Sequence, residues 1–404
     1  MQNQFDNFFR RDIYFHKISP FIGKKIIKVL VGHRRVGKSY VLYGIIEKIK
    51  EQDKSANIIY INKEDVAFDE IRDYKDLHNY IISKSLKGRK NYIFVDEVQM
   101  INNFHKAIAS LALNSKNDIY ITGSNSEMLS SDIANELGGR YIEFRIYGLS
   151  YLEFLQFNSL KNNSDNLERY MRFGGLPYLL HLPYNEAIIT EYLRSIYSTI
   201  ILKDIIQRQN IRQTVFLEQL IKFLAGNVGQ MFSAKKISEY LKNQKVKMGV
   251  QQVIEYTRAV SQAFVTYRAE RYDIVGKKTF EIGEKFYFED LGIRNVLVGY
   301  KPQDKAQLLE NVVYHHLLTC GYDVKVGTVG NKEIDFVATK NNETMYIQVA
   351  VELLRQDTIE REFGNLASIK DNYPKTVVTA ENTNYSSYDG IKHLYIGDFL
   401  TTEW

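Results

Sequence analysis

Residues 32–39 read Gly32-His33-Arg34-Arg35-Val36-Gly37-Lys38-Ser39. They follow the apolar run IIKVLV (26–31) and precede a helical pattern over 37–51. This fits G-x-x-x-x-G-K-S/T in the context the motif requires, between a strand and a helix. The two glycines let the backbone curl, so that successive N–H groups of 32–38 form a nest for the β-phosphate of ATP. Lys38 is placed to reach the β- and γ-phosphates, and the Ser39 hydroxyl is a candidate magnesium ligand. Tyr40, which follows directly, counts with residues 32–39 as a nucleotide-binding candidate, and the helix expected over 37–51 would point its positive end at the phosphates.

Outward from this loop, apolar runs alternate with amphipathic ones. Strands are expected at 26–31, 57–62, 92–95 and 118–122, with helices at 37–51, 74–86 and 104–114. Short, wholly apolar strands alternating with helices predict a parallel sheet covered on both faces. Tyr-Ile-Phe-Val-Asp-Glu (92–97) reads as a buried strand ending in acid. Its place, one strand–helix unit after the P-loop strand, suits a Walker-B strand. Asp96 would then hold magnesium through water, and Glu97 would be the general base that polarises the attacking water. The next strand ends in Gly-Ser-Asn-Ser (123–126), where Ser124 or Asn125 could hold the lytic water or the γ-phosphate. The same residues could instead cap the helical stretch SEMLSSDIANEL. Arg140, after Gly-Gly, is a candidate arginine finger or γ-phosphate sensor, or else an ordinary surface residue.

The 404 residues suit two to four domains. No apolar run is long enough to span a bilayer, and the N-terminus lacks a secretory pattern. With Cys320 the one cysteine, no intrachain disulfide can form, and a cytoplasmic setting without membrane contact is expected. The 29 tyrosines read as a compositional habit rather than a site. Residues 211–300 carry 14 Lys and Arg against 9 Asp and Glu, whereas 301–404 carry 10 against 15. The middle segment is therefore the candidate for duplex DNA. There, MFSAKKISEYLKNQ (231–244) and GVQQVIEYTRAV (249–260) have helix–turn–helix order, and FVTYRAERYDI and KTFEIGEKFYF follow as a hairpin wing. In such a module Gln251 and Gln252 would face bases, with Lys235, Lys236, Lys242, Lys245, Lys247, Lys277 and Lys278 near phosphates. A packing or protein-contact role is the competing reading.

Together these residues resemble an AAA+ ATPase. More narrowly, the chain is similar to the large prokaryotic family of AAA-family ATP-binding proteins with a C-terminal domain of unknown function. The resemblance rests on GHRRVGKSY, FVDEVQ, ITGSNSEML, YMRFGGLPYLL, KFYFEDLGIRN, LENVVYHHL, EIDFVA and IQVA, spread over nearly the whole chain. It implies a multi-domain α/β architecture. The expected parts are an ATPase core (1–147), a helical lid (148–210), a winged helix (211–300) and a PD-(D/E)xK nuclease-like domain (301–404). Gly174-Gly175-Leu176-Pro177 is similar to the Gly-Leu-Pro segment of signal-transduction ATPases, which would set Pro177 beside the adenine. A helix start with proline in its first turn explains it equally simply.

The nuclease resemblance implies acids at Glu310, Glu333 and Asp335. On the next strand, however, Gln348 stands where an acid is expected and Ala350 where a lysine is expected. Arg355 is a remote substitute. A nuclease fold without efficient cleavage is the expectation. The leading functional expectation is an ATP- and magnesium-dependent ATPase associated with DNA. The rivals are a slow nucleotide-dependent switch or scaffold acting through self-association or a protein partner, and an ATP-coupled nuclease.

Overall fold

The computed structural model describes residues 9–126, 135–207, 211–243, 248–353, 355–381 and 387–402. It divides into two compact units, Met1–Tyr147 and Gly148–Trp404. In the first unit a five-stranded, all-parallel sheet has the order β2-β3-β4-β1-β5. Its strands are β1 (Ile27–Val31), β2 (Asn57–Asn62), β3 (Asn91–Asp96), β4 (Asn117–Gly123) and β5 (Tyr141–Arg145). Helices α1 (Asp12–Ile18), α2 (Lys38–Gln52), α3 (Tyr74–Lys84) and α4 (Phe104–Leu111) accompany it. β1 and β4 are buried along their whole length, as strands covered on both faces must be. Strand β5 was not among the expected strands: Glu143 and Arg145 lie outward on this sheet edge and interrupt the apolar run.

Burial on both faces leaves β1 with a cation inside. Lys28 and Asp118 are both fully buried and pair with each other. Asp118 also accepts the Gly23 N–H at 2.7 Å and the Tyr120 hydroxyl at 2.9 Å. Every oxygen there is thus hydrogen-bonded, which a buried charge requires. The helix SEMLSSDIANEL expected after β4 lies largely outside the described residues.

The second unit begins with α5 (Tyr151–Phe157), α6 (Ser164–Phe173), a short 3-10 turn at Pro177–His181 and α7 (Glu186–Thr199). A capping box of Ser150 and Glu153 starts α5. Next come α8 (Thr214–Gly226), α9 (Ala234–Asn243) and α10 (Val250–Gln262), then the hairpin β6 (Thr266–Asp273) and β7 (Lys278–Phe288). Helices α11 (Leu291–Val298) and α12 (Lys305–Cys320) lead to β8 (Asp323–Val329), β9 (Lys332–Lys340) and β10 (Glu343–Ala350). The chain ends with α13 (Gln356–Ala367), β11 (Lys375–Thr379), β12 (Ser387–Tyr388), β13 (Ile391–Tyr395) and α14 (Ile396–Thr401). The expected lid, winged helix and terminal domain all fall within this one unit. One eight-stranded sheet, β12-β13-β11-β10-β9-β8-β6-β7, runs through the expected boundary at residue 300. The hairpin is not a free wing, because β6 pairs in parallel with β8. A bridge between Phe232 and Glu284 ties the α8–α9 connection to β7.

Candidate functional site

At the C-terminal edge of the parallel sheet the chain turns from β1 into α2 through residues 32–37. Gly32 sits where an added Cβ would lie 2.0 Å from the Ile146 carbonyl oxygen, so no side chain fits. Gly37 has φ +93°, and Arg35 is also left-handed at +69°. Lys38 Nζ folds back onto the Gly32 and His33 carbonyls, at 3.1 Å each, and lies 3.5 Å from Glu97 Oε1. Arg11 braces the loop from behind. Its guanidinium is buried and donates to the carbonyls of Val36 (2.9 Å) and Tyr147 (2.7 Å). Burial lowers the His33 pKa to about 3, so the ring is neutral, and its Nε2 has no hydrogen-bond partner among the described residues. Arg34 pairs with Glu64 at 2.7 Å, while Arg35 and Tyr40 are exposed.

β4 lies between β1 and β3 and brings polar groups to both acids. Asp96 is buried at the end of β3 and accepts hydrogen bonds from the hydroxyls of Ser39, Thr122 and Tyr60, the last at 3.1 Å. Burial raises its pKa, and the Ser39 and Thr122 hydroxyls oppose the rise. Tyr60 also bonds Tyr43 at 3.1 Å, and Tyr43 meets Tyr40 edge-on. Tyr43 and Tyr60 thus join Tyr40 in this cluster, and reading the tyrosines as a compositional habit missed those two. Thr122 and Gln99 belong to the site as well.

Glu97 is in the left-handed region, at φ +54°, with its N–H bonded to Thr122 Oγ1 at 2.9 Å. A non-glycine residue held there is a strained position of the kind found at functional sites. Its carboxylate accepts from Gln99 Nε2 and, at 3.1 Å, from Ser124 Oγ. Burial pushes the Glu97 pKa up, but Lys38 and Arg34, with the Gln99 and Ser124 hydrogen bonds, outweigh it, and the net direction is down. Asn125 is buried directly after Ser124.

The structure thus brings together Lys38, Ser39, Asp96, Glu97 and Ser124. Arg140 it does not bring: Ile27 N–H bonds the Arg140 carbonyl at the N-terminal edge of the sheet. The length of a five-residue strand, roughly 16 Å, separates that edge from the loop. The expected sensor role within this chain is therefore corrected, because β5 begins where β1 begins. Pro177 belongs to the second unit, where it opens the 3-10 turn. Among the described residues no group of three or more His, Cys, Asp or Glu is arranged to hold a metal. The Ser39–Asp96 pair suits an ion that takes its remaining ligands from phosphate and water, as magnesium does.

In the second unit, Ser233 Oγ accepts the Lys236 N–H at 3.3 Å at the start of α9. Lys235, exposed, lines a groove of about 720 Å³ with Val250, Ile254, Arg258 and Arg268. Gln252 lines a separate depression beside Arg212 and Glu255, and Gln251 bonds Glu255 at 3.2 Å. The two glutamines are therefore off the groove face of α10. Lys236 and Lys242 are exposed, as are Lys277 and Lys278 around the hairpin turn, while Lys245 and Lys247 lie outside the described residues.

The terminal acids do converge. Glu310 and Glu333 both pair with Lys285 of β7, and the Asp335 N–H bonds Gln348 Oε1 at 3.3 Å. Arg355 is exposed and pairs with Asp357 instead. Lys285 was missed because a lysine was sought at 350, where the buried Ala350 stands.

Residues 24–155 match the family described as AAA domain, and residues 164–304 match a domain of unknown function, DUF8612. An uncharacterized protein of Haemophilus influenzae is 35% identical over 396 residues, covering 96% of this chain and 98% of that one. An uncharacterized protein of Methanocaldococcus jannaschii is 30% identical over 338 residues, covering 80% and 71%. Among solved structures, the Aeropyrum pernix Orc1 protein in complex with DNA aligns at a TM-score of 0.36 and 11% identity, covering 72% of this chain and 93% of that one. AMPPCP-bound DnaA from Aquifex aeolicus aligns at 0.33 and 13%, covering 64% and 90%. At those scores nothing about ligand or partner transfers to this chain.

Proposed function

This chain belongs to the AAA ATPase family, with its AAA domain followed by a domain of unknown function, and from that premise we propose that it binds ATP with magnesium and hydrolyses it. The observation that carries the reading is the convergence of Lys38, Ser39, Asp96 and Glu97 at one end of the sheet. Magnesium, when bound, neutralises phosphate charge; the Ser39 hydroxyl would hold it directly and Asp96 through water. Lys38 exchanges its loop carbonyls for β- and γ-phosphate oxygens. Glu97 then loses the stronger of the two cations that depress its pKa and becomes a better proton acceptor for the attacking water. Ser124, already on Glu97, helps to orient that carboxylate, with Asn125 beside it. Lys38→Ala is expected to abolish tight binding of a fluorescent ATP analogue and phosphate release; turnover at the parent rate would overturn the reading.

Association with duplex DNA through 211–300 is the second part of the proposal. The order α8, Phe232 bridge, α9, α10 and hairpin supports a winged-helix reading. Its cations are Lys235, Arg258 and the hairpin lysines rather than the glutamine pair, which favours phosphate contact over base reading. ATPase rates with and without duplex DNA, across a salt series, test this. Affinity should fall steeply with salt. Turnover indifferent to DNA, with no salt-sensitive binding, would favour the conformational switch.

A further inference from the structure

The terminal sheet of the second unit gathers an acidic cluster, mostly buried apart from Glu333, which is exposed. Glu310 comes from α12, Glu333 and Asp335 from β9, Gln348 from β10 and Glu362 from α13. Asp335, Gln348 and Glu362 are all more than nine-tenths buried, and Glu362 lies close enough to Asp335 to act on it electrostatically. A helix acid and a strand acid with a neighbouring amide oxygen are the donors a nuclease-like fold would offer a divalent ion.

These residues do not fit one. Lys285 Nζ, on a side chain only 4% exposed, stands 2.8 Å from Glu310 Oε1 and 2.7 Å from Glu333 Oε1. Tyr287, two residues along the same face of β7, also donates to Glu310. Two further donor atoms are committed: Asp335 Oδ2 takes the Val349 N–H at 2.8 Å, and Gln348 Oε1 takes the Asp335 N–H, which leaves Glu362 Oε2 as a buried oxygen that accepts no hydrogen bond among the described residues. The main chain closes over Glu310 at Gly229, where an added Cβ would lie 3.2 Å from Oε2. A dication would have to share these oxygens with a buried ammonium of like sign.

We propose that Lys285 is the resident cation of this cluster: its ammonium stands where a divalent ion would, and the domain folds without metal and takes none. The inference is independent of the ATPase reading. It also explains why a domain with nuclease-like acids would not cleave DNA.

The test uses the full-length, nucleotide-free protein, melted in EDTA and in manganese. With Ser39→Ala removing the hydroxyl that manganese could meet at the nucleotide site, the protein should melt alike in both. Lys285→Met strands buried carboxylates without a counter-charge and should melt roughly 10 °C lower. Adding Glu310→Gln should restore most of that loss. Manganese can also meet Ser39 and Asp96, so binding is followed by electron paramagnetic resonance in a Ser39→Ala background. Manganese bound there by the otherwise wild-type protein and lost in Asp335→Asn would overturn the proposal. So would a Lys285→Met protein that melts with the wild type. Should Lys285→Met fail to fold, the Asp335→Asn comparison still decides: no difference supports a metal-free cluster.

Discussion

Replacing Glu97 by Gln separates two roles that the geometry gives this carboxylate. As general base it should contribute at least ~100-fold to hydrolysis, or about 3 kcal/mol of barrier. As partner of Lys38 it competes with ATP for the same ammonium, 3.5 Å away. Two unit charges at that separation attract by about 4–5 kcal/mol at an effective dielectric near 20. Most of this is offset by desolvation, because both side chains are nearly buried. If about 1 kcal/mol remains, Glu97→Gln should bind ATP roughly fivefold more tightly than the parent while turning it over at least ~100-fold more slowly. Equilibrium titration with a fluorescent ATP analogue reads the first change, and single-turnover phosphate release the second. Unchanged turnover would show that the base lies elsewhere. Weaker binding would show that the Lys38–Glu97 contact does not hold the lysine back.

Tyr60→Phe removes one of three hydroxyls on Asp96, worth about 1 kcal/mol, and should raise the magnesium needed for half-maximal turnover several-fold. A superimposable magnesium titration would deny Tyr60 that role. Asp118→Ala leaves Lys28 buried without its partner and should cost about 3–5 kcal/mol in urea unfolding; a loss under 1 kcal/mol would mean that water reaches Lys28. Asp290 is buried, which pushes its pKa up to about 6 against the backbone N–H groups of Ile293 and Gly175. Native protein then holds a proton that the unfolded chain releases near pH 4. This group's contribution is present below that value and lost as pH rises through about 6, up to about 3 kcal/mol. Asp290→Asn should flatten that part of the stability–pH curve, and an unaltered slope would assign it to other groups.

The phosphate loop was legible because its chemistry is contiguous: glycines, lysine and serine act from adjacent positions on one strand–loop–helix. The acids of β3 were legible because a parallel strand exposes its C-terminal end to the same crevice. Of their hydrogen-bond partners Ser39 and Ser124 were legible, and the rest were not. Tyr60 reaches Asp96 from 36 residues away and Thr122 from 26, and only strand order places these hydroxyls on that carboxylate. Arg11 was equally silent, since its partners are main-chain carbonyls that no sequence pattern marks. For Arg140 the surface alternative fits the fold of the first unit, because strand direction returns it to the far edge of the sheet. Lys285 escaped notice because its strand belongs to the hairpin, whose pairing with β8 could not be read from alternation alone.

The stretches GGLP and FEDLGIRN looked unrelated in sequence, yet physically they are one node. Asp290 accepts the Gly175 N–H at 2.8 Å and caps α11 through the Ile293 N–H at 2.9 Å. Gly174 is left-handed at φ +80°, and an added Cβ there would meet the Asp290 carboxylate at 2.3 Å. Gly292 admits no side chain either, with the Phe173 carbonyl 2.1 Å from where its Cβ would be. The neighbouring Glu289 takes the Gly148 N–H at 2.8 Å, at the first residue of the second unit. Arg294, fully buried, ties the same helix to the Ala225 carbonyl and to Asp304. Residues at 148, 175, 225 and 304 therefore converge on one short helix. A cut at 210 or at 300 would remove its partners, so fragments made there should expose buried carboxylates and a buried guanidinium. Any fragment that keeps this polar core satisfied must therefore span at least residues 148–304.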